Sequence, residues 1–389
     1  MASTKRHNQP EAQTLDLVLF VSLGILIVFG LVMLASASIA LAEHKTGDPL
    51  AIFKRQTLYV GIGLLAAFMA YRLPLSLWQV ADKWLFGIAF CLLLTVYIPG
   101  LGIRSNGALR WLDLGPVTVQ VSEIAKLLIA MYLAGYLVRH RQSLREKSWA
   151  FLAPLALVGL VAGLLIMEPD MGAAVVLISL SLGMIFMAGV RLIPFVSVLF
   201  TAAGVLTLLM FMESYRVRRL MSFMDPWQSA SDDGYQLIQS LIAIGSGSWF
   251  GVGLGASVQK MHYLPEQSND FLFAVVAEEL GLVGVFLLLT LYAVVVVRGF
   301  QIGAAADMAE HKFGAYLAYG ISLWIGLQAL VNIGVNMGVL PTKGLILPFM
   351  SQGGSAMVVM CVAAALLLRV HYETQLTPHV VSRKMEVAR

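Results

Sequence analysis

The run LVLFVSLGILIVFGLVMLASASIALA, residues 17–42, carries no charged side chain across 26 positions. As a helix rising about 1.5 Å per residue it would reach roughly 39 Å, more than the ~30 Å hydrocarbon core of a bilayer. It is too long for the apolar part of a cleaved leader, in spite of the small residues around Ala35 and Ala37, and reads as a retained first span. The segment before it is polar and basic, with Lys5, Arg6 and His7.

The rest of the chain repeats that pattern. Of 389 residues 59% are apolar and only 12% charged, and the mean hydropathy is +0.82. So few charges could not clothe a water-soluble surface of this length, which excludes soluble, disordered and collagen-like classes. Apolar runs interrupted by charge, Gly and Pro place ten spans near 16–41, 56–73, 82–98, 120–138, 149–166, 171–189, 192–212, 271–298, 313–336 and 352–370. The expected class is an all-α polytopic membrane protein of about ten transmembrane helices. An even count sets both termini on one side, where 15 Lys and Arg fall against ten on the other, densest in the short loop from Arg139 to Lys147. That side is read as cytoplasmic. Residues 1–15 and 371–389 then form cytoplasmic tails around a transmembrane domain over 16–370.

Other classes drop out. The net charge is only +4, and no segment gathers Lys or Arg with aromatics, so nucleic acid is not an expected partner. Cys91 and Cys361 lie in apolar runs, offering neither a disulfide framework nor a zinc spacing. No internal repeat supports an inverted-repeat transporter.

Between the seventh and eighth spans lies a loop of nearly 60 residues, 213–270, on the outer side. Its aromatic content, from Tyr215 and Trp227 to Trp249 and Tyr263, predicts a structured extracytoplasmic loop packed on the membrane face. Tyr235 to Ile244 is apolar but about half a span long, which suits an interfacial or re-entrant helix. GSGSWFGVGLG, 245–255, lacks the preceding strand and the Lys-Ser/Thr of a phosphate loop and reads as a flexible bend.

Ionisable groups inside spans are functional candidates by default. Glu123 and Lys126, three apart, share a helix face and make either a structural ion pair or a substrate contact. Glu168 and Asp170 flank an outer turn, either as a solvated corner with Asp170 capping the next helix or as an acidic outer pocket. Glu278 and Glu279 point about 100° apart on the eighth helix, so at least one needs a donor from elsewhere. Asp270, where the long loop meets that helix, suits an N-cap, with Asn269 its rival. Arg216, Arg218 and Arg219 past the seventh span could fork onto a lipid pyrophosphate or snorkel to headgroups. VLPTKGLILPFMSQGGS, 339–355, with Lys343, Ser351 and Ser355, is too broken for a plain span and implies backbone lining a cavity beneath the outer face.

At these residues the chain resembles the SEDS family of peptidoglycan polymerases. The matching strings are VSEIAKL (121–127), EPDMG (168–172), YRVRRLMSFMDPW (215–227), GYQLIQSLIAIG (234–245), VQKMHYLPEQSNDFLFAVVAEELG (258–281) and PTKGLILPFMSQGGS (341–355). PTKG and VQK resemble the division-specific branch more than the elongation branch, which stays as an alternative. The resemblance implies a glycosyltransferase that polymerises lipid II at the outer face of the cytoplasmic membrane, at the division septum. It places the family's essential acid on Asp270 and its loop arginines on Arg216 and Arg219. It implies association with a class B penicillin-binding protein and other division membrane proteins. Three positions depart from the pattern: Val121 for Pro, Ser268-Asn269 for His-Thr, and Gln352 for Tyr.

For the chemistry, Asp270 is expected to act as base or as a ligand of Mg2+ or Mn2+, with no organic cofactor. Arg216, Arg219 and Lys343 would neutralise the departing pyrophosphate, and Glu123, Lys126, Ser351 and Ser355 complete the expected substrate contacts. The rival classes are a lipid II flippase using Glu123, Lys126, Glu278 and Glu279 along an internal path, and a docking scaffold without chemistry.

Overall fold

The structure is a computed structural model that describes residues 15–105, 108–113, 115, 118–212, 214–229, 234–261, 263–341 and 344–387, a few side chains within them excepted. The segment before residue 15 lies outside the described residues. The chain runs α1 (Leu17–Thr46), α2 (Ala51–Arg72), α3 (Leu75–Thr95), β1 (Gly102–Ser105), β2 (Ala108–Asp113), β3 (Thr118–Gln120), α4 (Val121–Arg139), α5 (Arg141–Glu146), α6 (Leu152–Met167), α7 (Met171–Met187) and α8 (Leu192–Phe211). It continues with α9 (Ser214–Met224), a 3-10 turn (Pro226–Ser229), α10 (Tyr235–Ser246), α11 (Leu272–Met308), α12 (Lys312–Asn336) and α13 (Gly354–Val387).

All ten expected spans are present, as α1 to α4, α6 to α8 and α11 to α13. Among the described residues six are long and apolar enough to cross a membrane outright: α1, α3, α4, α11, α12 and α13 as far as Leu376. Bilayer-spanning helices need no alternation of polar and apolar faces, because lipid replaces water outside the bundle. Val80, Trp84, Ile193 and Phe200 accordingly stand exposed on the perimeter. The buried centre is α4, α12 and α13, where Trp324, Lys126, Ile129 and Leu133 are fully enclosed. The protein is an integral membrane protein.

Two features add to the expectation. The link from α3 to α4 folds as an antiparallel sheet in the order β1-β2-β3, pairing Ile103 with Trp111 and Trp111 with Gln120. Its sequence signal is Asn106-Gly107, the pair that tight hairpin turns favour, itself outside the described residues. Near the termini, Asp82 of α3 is buried against Arg139 of α4. It fits there because Gly135 has no side chain to occupy the same space.

The long loop is structured, as its aromatics imply. α10 packs along α11 and α12 through Leu237, Ile238 and Ala243, which is the short helix expected near 235–244. The glycine stretch after it is more than a bend, because it enters a break in α11. Gly281 there has φ 64° and ψ −164°, so the helix loses its continuous ladder. The amides of Val252 and Gly253 donate to the carbonyls of Glu278 and Glu279 at 3.0 and 3.1 Å. In return Leu282 and Val283 donate to the carbonyls of Ser248 and Trp249 at 3.0 and 3.1 Å. These four peptide groups of the break thus find partners, as apolar surroundings demand. The approach is so close that a Cβ on Gly281 would lie 2.4 Å from the Gly251 nitrogen, and one on Gly251 2.1 Å from the Glu279 oxygen.

Gly281→Ala should therefore cost about 2 kcal/mol or more through steric and backbone strain. Gly24→Ala in α1, where a Cβ would meet nothing within 4 Å, should be near neutral. Thermal unfolding of the purified variants in detergent measures both, and equal melting temperatures would refute the packing account.

Candidate functional site

The polar groups collect at the end of the bundle that carries α9 and α10. Asp270 is half-buried there, in the turn leading to α11. The capping expectation is not met, since the N-cap is Phe271 and makes no side-chain cap bond. The missing cap comes from across the bundle: Asn336 Oδ1 accepts from the Ala274 amide at 3.3 Å. The Asp270 carbonyl accepts from Asn332 Nδ2 at 2.8 Å and Asn336 Nδ2 at 2.9 Å. Its carboxylate faces Gly344, where an added Cβ would stand 3.3 Å from Oδ2. The broken stretch after α12 therefore forms the other wall of a crevice above Asp270.

That wall is held by side chains of α12 and α2. Asn332 Nδ2 also donates to the Leu345 carbonyl at 2.6 Å, and Gln328 Nε2 to the Ile346 carbonyl at 3.2 Å. Gln56 of α2 donates to the Ser351 carbonyl and accepts from the Gly353 amide, both at 3.3 Å. Ser351 Oγ accepts from the Leu347 amide and Ser355 Oγ from the Gln120 amide, each at 3.0 Å. The two candidate hydroxyls thus bind backbone within the fold. Lys343 lies outside the described residues. Two of the unusual positions meet here: Ser268 Oγ donates to Gln352 Oε1 at 2.8 Å, and the Gln352 amide to the Ser268 carbonyl at 2.8 Å.

Lys126, with no exposed surface, donates to Glu123 Oε1 at 2.8 Å and to Gln328 Oε1 at 2.9 Å, with the Trp324 ring 5.2 Å away. The pair is connected through Gln328 to the wall beside Asp270 rather than to Asp270 itself. Arg216 and Arg219 fall three apart on α9 and so share a helix face, but their side chains lie outside the described residues.

Glu278 and Glu279 both find donors. The first accepts from Ser257 Oγ and the Val258 amide, and the second from Ser36 Oγ of α1 at 2.7 Å and Lys260 Nζ at 2.8 Å. They anchor the loop rather than line a path. At the α6–α7 turn Asp170 does cap α7, its Oδ1 accepting from the Ala173 amide at 3.1 Å, with Arg110 of β2 3.8 Å away. Glu168 is fully buried, and no hydrogen bond reaches either carboxyl oxygen among the described residues. The turn is an enclosed acidic pocket and not a solvated corner. Burial, reinforced by the Asp170 charge and partly offset by Arg110, pushes the Glu168 carboxyl up to about 8.

Sequence reading passed over Gln328, Asn332 and Asn336, which fix the crevice. Their signal was spacing: three amides at intervals of four in an apolar span fall on one face. Lys260, Ser36 and Gln56 gave no comparable signal, because their partners are distant in sequence.

The sequence profile of the FtsW/RodA/SpoVE family, described as cell cycle proteins, matches residues 16–376. The chain belongs to this family. Among its relatives, the probable peptidoglycan glycosyltransferase FtsW of Thioalkalivibrio sulfidiphilus is 55% identical over 363 residues, 93% of this chain and 91% of that one. The protein of the same name from Coxiella burnetii is 48% identical over 350 residues, 90% of this chain and 94% of that one. Among solved structures, a chain from a peptidoglycan synthase complex that coordinates polymerization and crosslinking superposes with a TM-score of 0.76 at 28% identity, covering 92% of this chain and 98% of that one. The rod shape determining protein RodA of Thermus thermophilus gives 0.68 at 28% identity, covering 92% and 96%. The ten-helix plan and the FtsW affinity read from the motifs agree with this membership.

In this family member the Glu168 pocket sets a pH dependence. A carboxyl raised from 4.5 to about 8 in the fold favours the folded state most below pH 4.5, and that contribution is lost as pH rises to about 8. Glu168→Gln should flatten the decline in melting temperature between those limits and leave the variant more stable than the parent at pH 8. A parent and variant falling in parallel would show that the carboxyl titrates normally.

Proposed function

We propose that the crevice at Asp270 polymerises lipid II into glycan strands, making this chain a peptidoglycan glycosyltransferase of the FtsW type acting at the outer face of the cytoplasmic membrane during division. The observation that carries the site is the Asp270 carboxylate, half-buried beside the side-chain-free Gly344 on a backbone held by two side-chain amides of α12. The Lys and Arg distribution supports an outward-facing crevice and cytoplasmic termini.

The reaction joins the 4-hydroxyl of one lipid-linked disaccharide to the anomeric carbon of another and releases undecaprenyl pyrophosphate. Asp270 accepts the hydroxyl proton or helps neutralise the leaving group. A carboxylate beside the side-chain-free Gly344 fits Mg2+ or Mn2+, since Mg2+ is commonly held by one or two carboxylates with phosphate oxygens completing the shell. Among the described residues no group of three or more His, Cys, Asp and Glu side chains is arranged to cage a metal. A bound divalent ion would supply charge neutralisation at the pyrophosphate, with Asp270 as its protein ligand. Arg216 and Arg219, in α9, and Lys343, next to Gly344 in the sequence, would add positive charge where the leaving group develops. Lys126 acts from behind the wall, through Gln328.

The flippase reading loses its charges to local partners: Lys126 is engaged by Glu123, Lys260 by Glu279, and Glu278 by Ser257. The likeness to a chain of a synthase complex supports a cross-linking partner of the class B penicillin-binding type, alongside other division proteins at the septum.

Asp270→Asn, co-purified with that partner, should reduce lipid II polymerisation in detergent by at least ~100-fold with folding retained. Detergent removes sidedness, so polymer formation separates a polymerase from a flippase. Near-normal polymer from Asp270→Asn would sink the assignment, while activity surviving exhaustive chelation would remove the metal role alone.

A further inference from the structure

Asp270 sits at a junction of two irregular segments, 264–271 and 344–347, neither of which supplies a regular ladder to fix it. What fixes both is the amide stripe of α12. Asn332 Nδ2 has two hydrogens, and both are used: one goes to the Asp270 carbonyl at 2.8 Å and the other to the Leu345 carbonyl at 2.6 Å. A single amide therefore pins both walls of the crevice. Asn336 Nδ2 supplies a second bond to the Asp270 carbonyl at 2.9 Å, filling that oxygen's other lone pair, while its Oδ1 caps the Ala274 amide. Asn332 and Asn336 are 2% and 0% exposed, so no water competes for these bonds. A carboxylate at either place could not donate to two carbonyls, and an apolar side chain would strand them.

We propose that Asn332 and Asn336 are positioning residues for the polymerase reaction: they clamp the Asp270 main chain against the 344–347 wall and so hold the reacting carboxylate on target, an inference that rests on Asp270 carrying the chemistry. With the main chain fixed, only the two side-chain torsions of Asp270 remain to place its oxygens. Loss of the clamp lets the crevice widen without removing any group that touches substrate. Binding then survives and turnover does not, because a displacement of about 1 Å can cost ~100-fold in rate.

The test compares Asn332→Ala, Asn336→Ala, Asp270→Asn and Ser240→Ala in the full chain with its partner, scored by kcat and KM for lipid II and by melting temperature. Ser240 is the structural control: its Oγ donates to the Asn336 carbonyl at 2.8 Å from α10, on the side away from Asp270's bonds. The clamp predicts kcat lowered ~10- to 100-fold by Asn332→Ala with KM within about two-fold, and near-parental kcat for Ser240→Ala at a comparable loss of melting temperature. Asn336→Ala should behave like Asn332→Ala in weaker form, and it carries the test by the same criterion if Asn332→Ala does not fold. The double substitution should exceed the product of the single effects, because either amide alone can hold the shared carbonyl. A folded Asn332→Ala with kcat within two-fold of the parent overturns the clamp while leaving Asp270's role intact, provided Asp270→Asn is inactive. A loss confined to KM, or an equal loss in Ser240→Ala, overturns it in favour of general support. An active Asp270→Asn brings down the reading of Asp270 and the clamp with it.

Discussion

Within a bilayer a peptide group that leaves its helix has no water to turn to, and each one left unpaired costs several kcal/mol. This chain interrupts regular structure twice at the same end of the bundle, at Gly281 in α11 and between α12 and α13. Both interruptions exist because other segments answer them. The turn at 248–253 completes the α11 break through main-chain bonds. Gln56, Gln328 and Asn332 complete the second through side-chain amides. The outer loop is thus part of the membrane fold, and its path follows from the hydrogen-bonding debt of a broken helix.

The same rule organises charge. The buried ionisable groups of the spans meet an opposite charge or a donor: Lys126 with Glu123, Glu279 with Lys260 and Ser36, Asp82 with Arg139. Such pairs contribute less to net stability than to specificity, since breaking one leaves a buried charge without compensation. Asp270 differs in being only half-buried, and two amides of α12 hold its backbone while its carboxylate stands beside the exposed, side-chain-free Gly344. Rigid support beneath a reacting group is what the proposed catalysis at Asp270 would require.

The helical plan was legible because span detection needs only length and the absence of charge, as residues 17–42 show. Asp270 was legible through resemblance, and its place at the head of α11 through the boundary between loop and apolar run. Other features were hidden for physical reasons. Whether Glu168 is solvated depends on how β2 folds over the α6–α7 turn, which spacing within EPDMG does not encode. The N-cap reading of Asp270 followed local chemistry, whereas α11 takes its cap from Asn336, 62 residues downstream of Ala274. In the glycine stretch 245–255, which looked like freedom, Gly247 and Gly251 proved to be clearance, because the neighbour they admit belongs to α11.

Ser268 and Gln352 stand 84 residues apart, both at places where the motifs depart from the pattern the resemblance implies, yet they are bonded to each other by side chain and by main chain. They are two halves of one joint. Chimeras built from this protein and a relative would inherit half a joint if the crossover fell between 268 and 352, whatever the overall similarity of the parents. The stretch leading into α11 and the stretch leading into α13 therefore travel as a unit, and recombination or gene shuffling across this family has a forbidden interval that pairwise identity alone would not disclose.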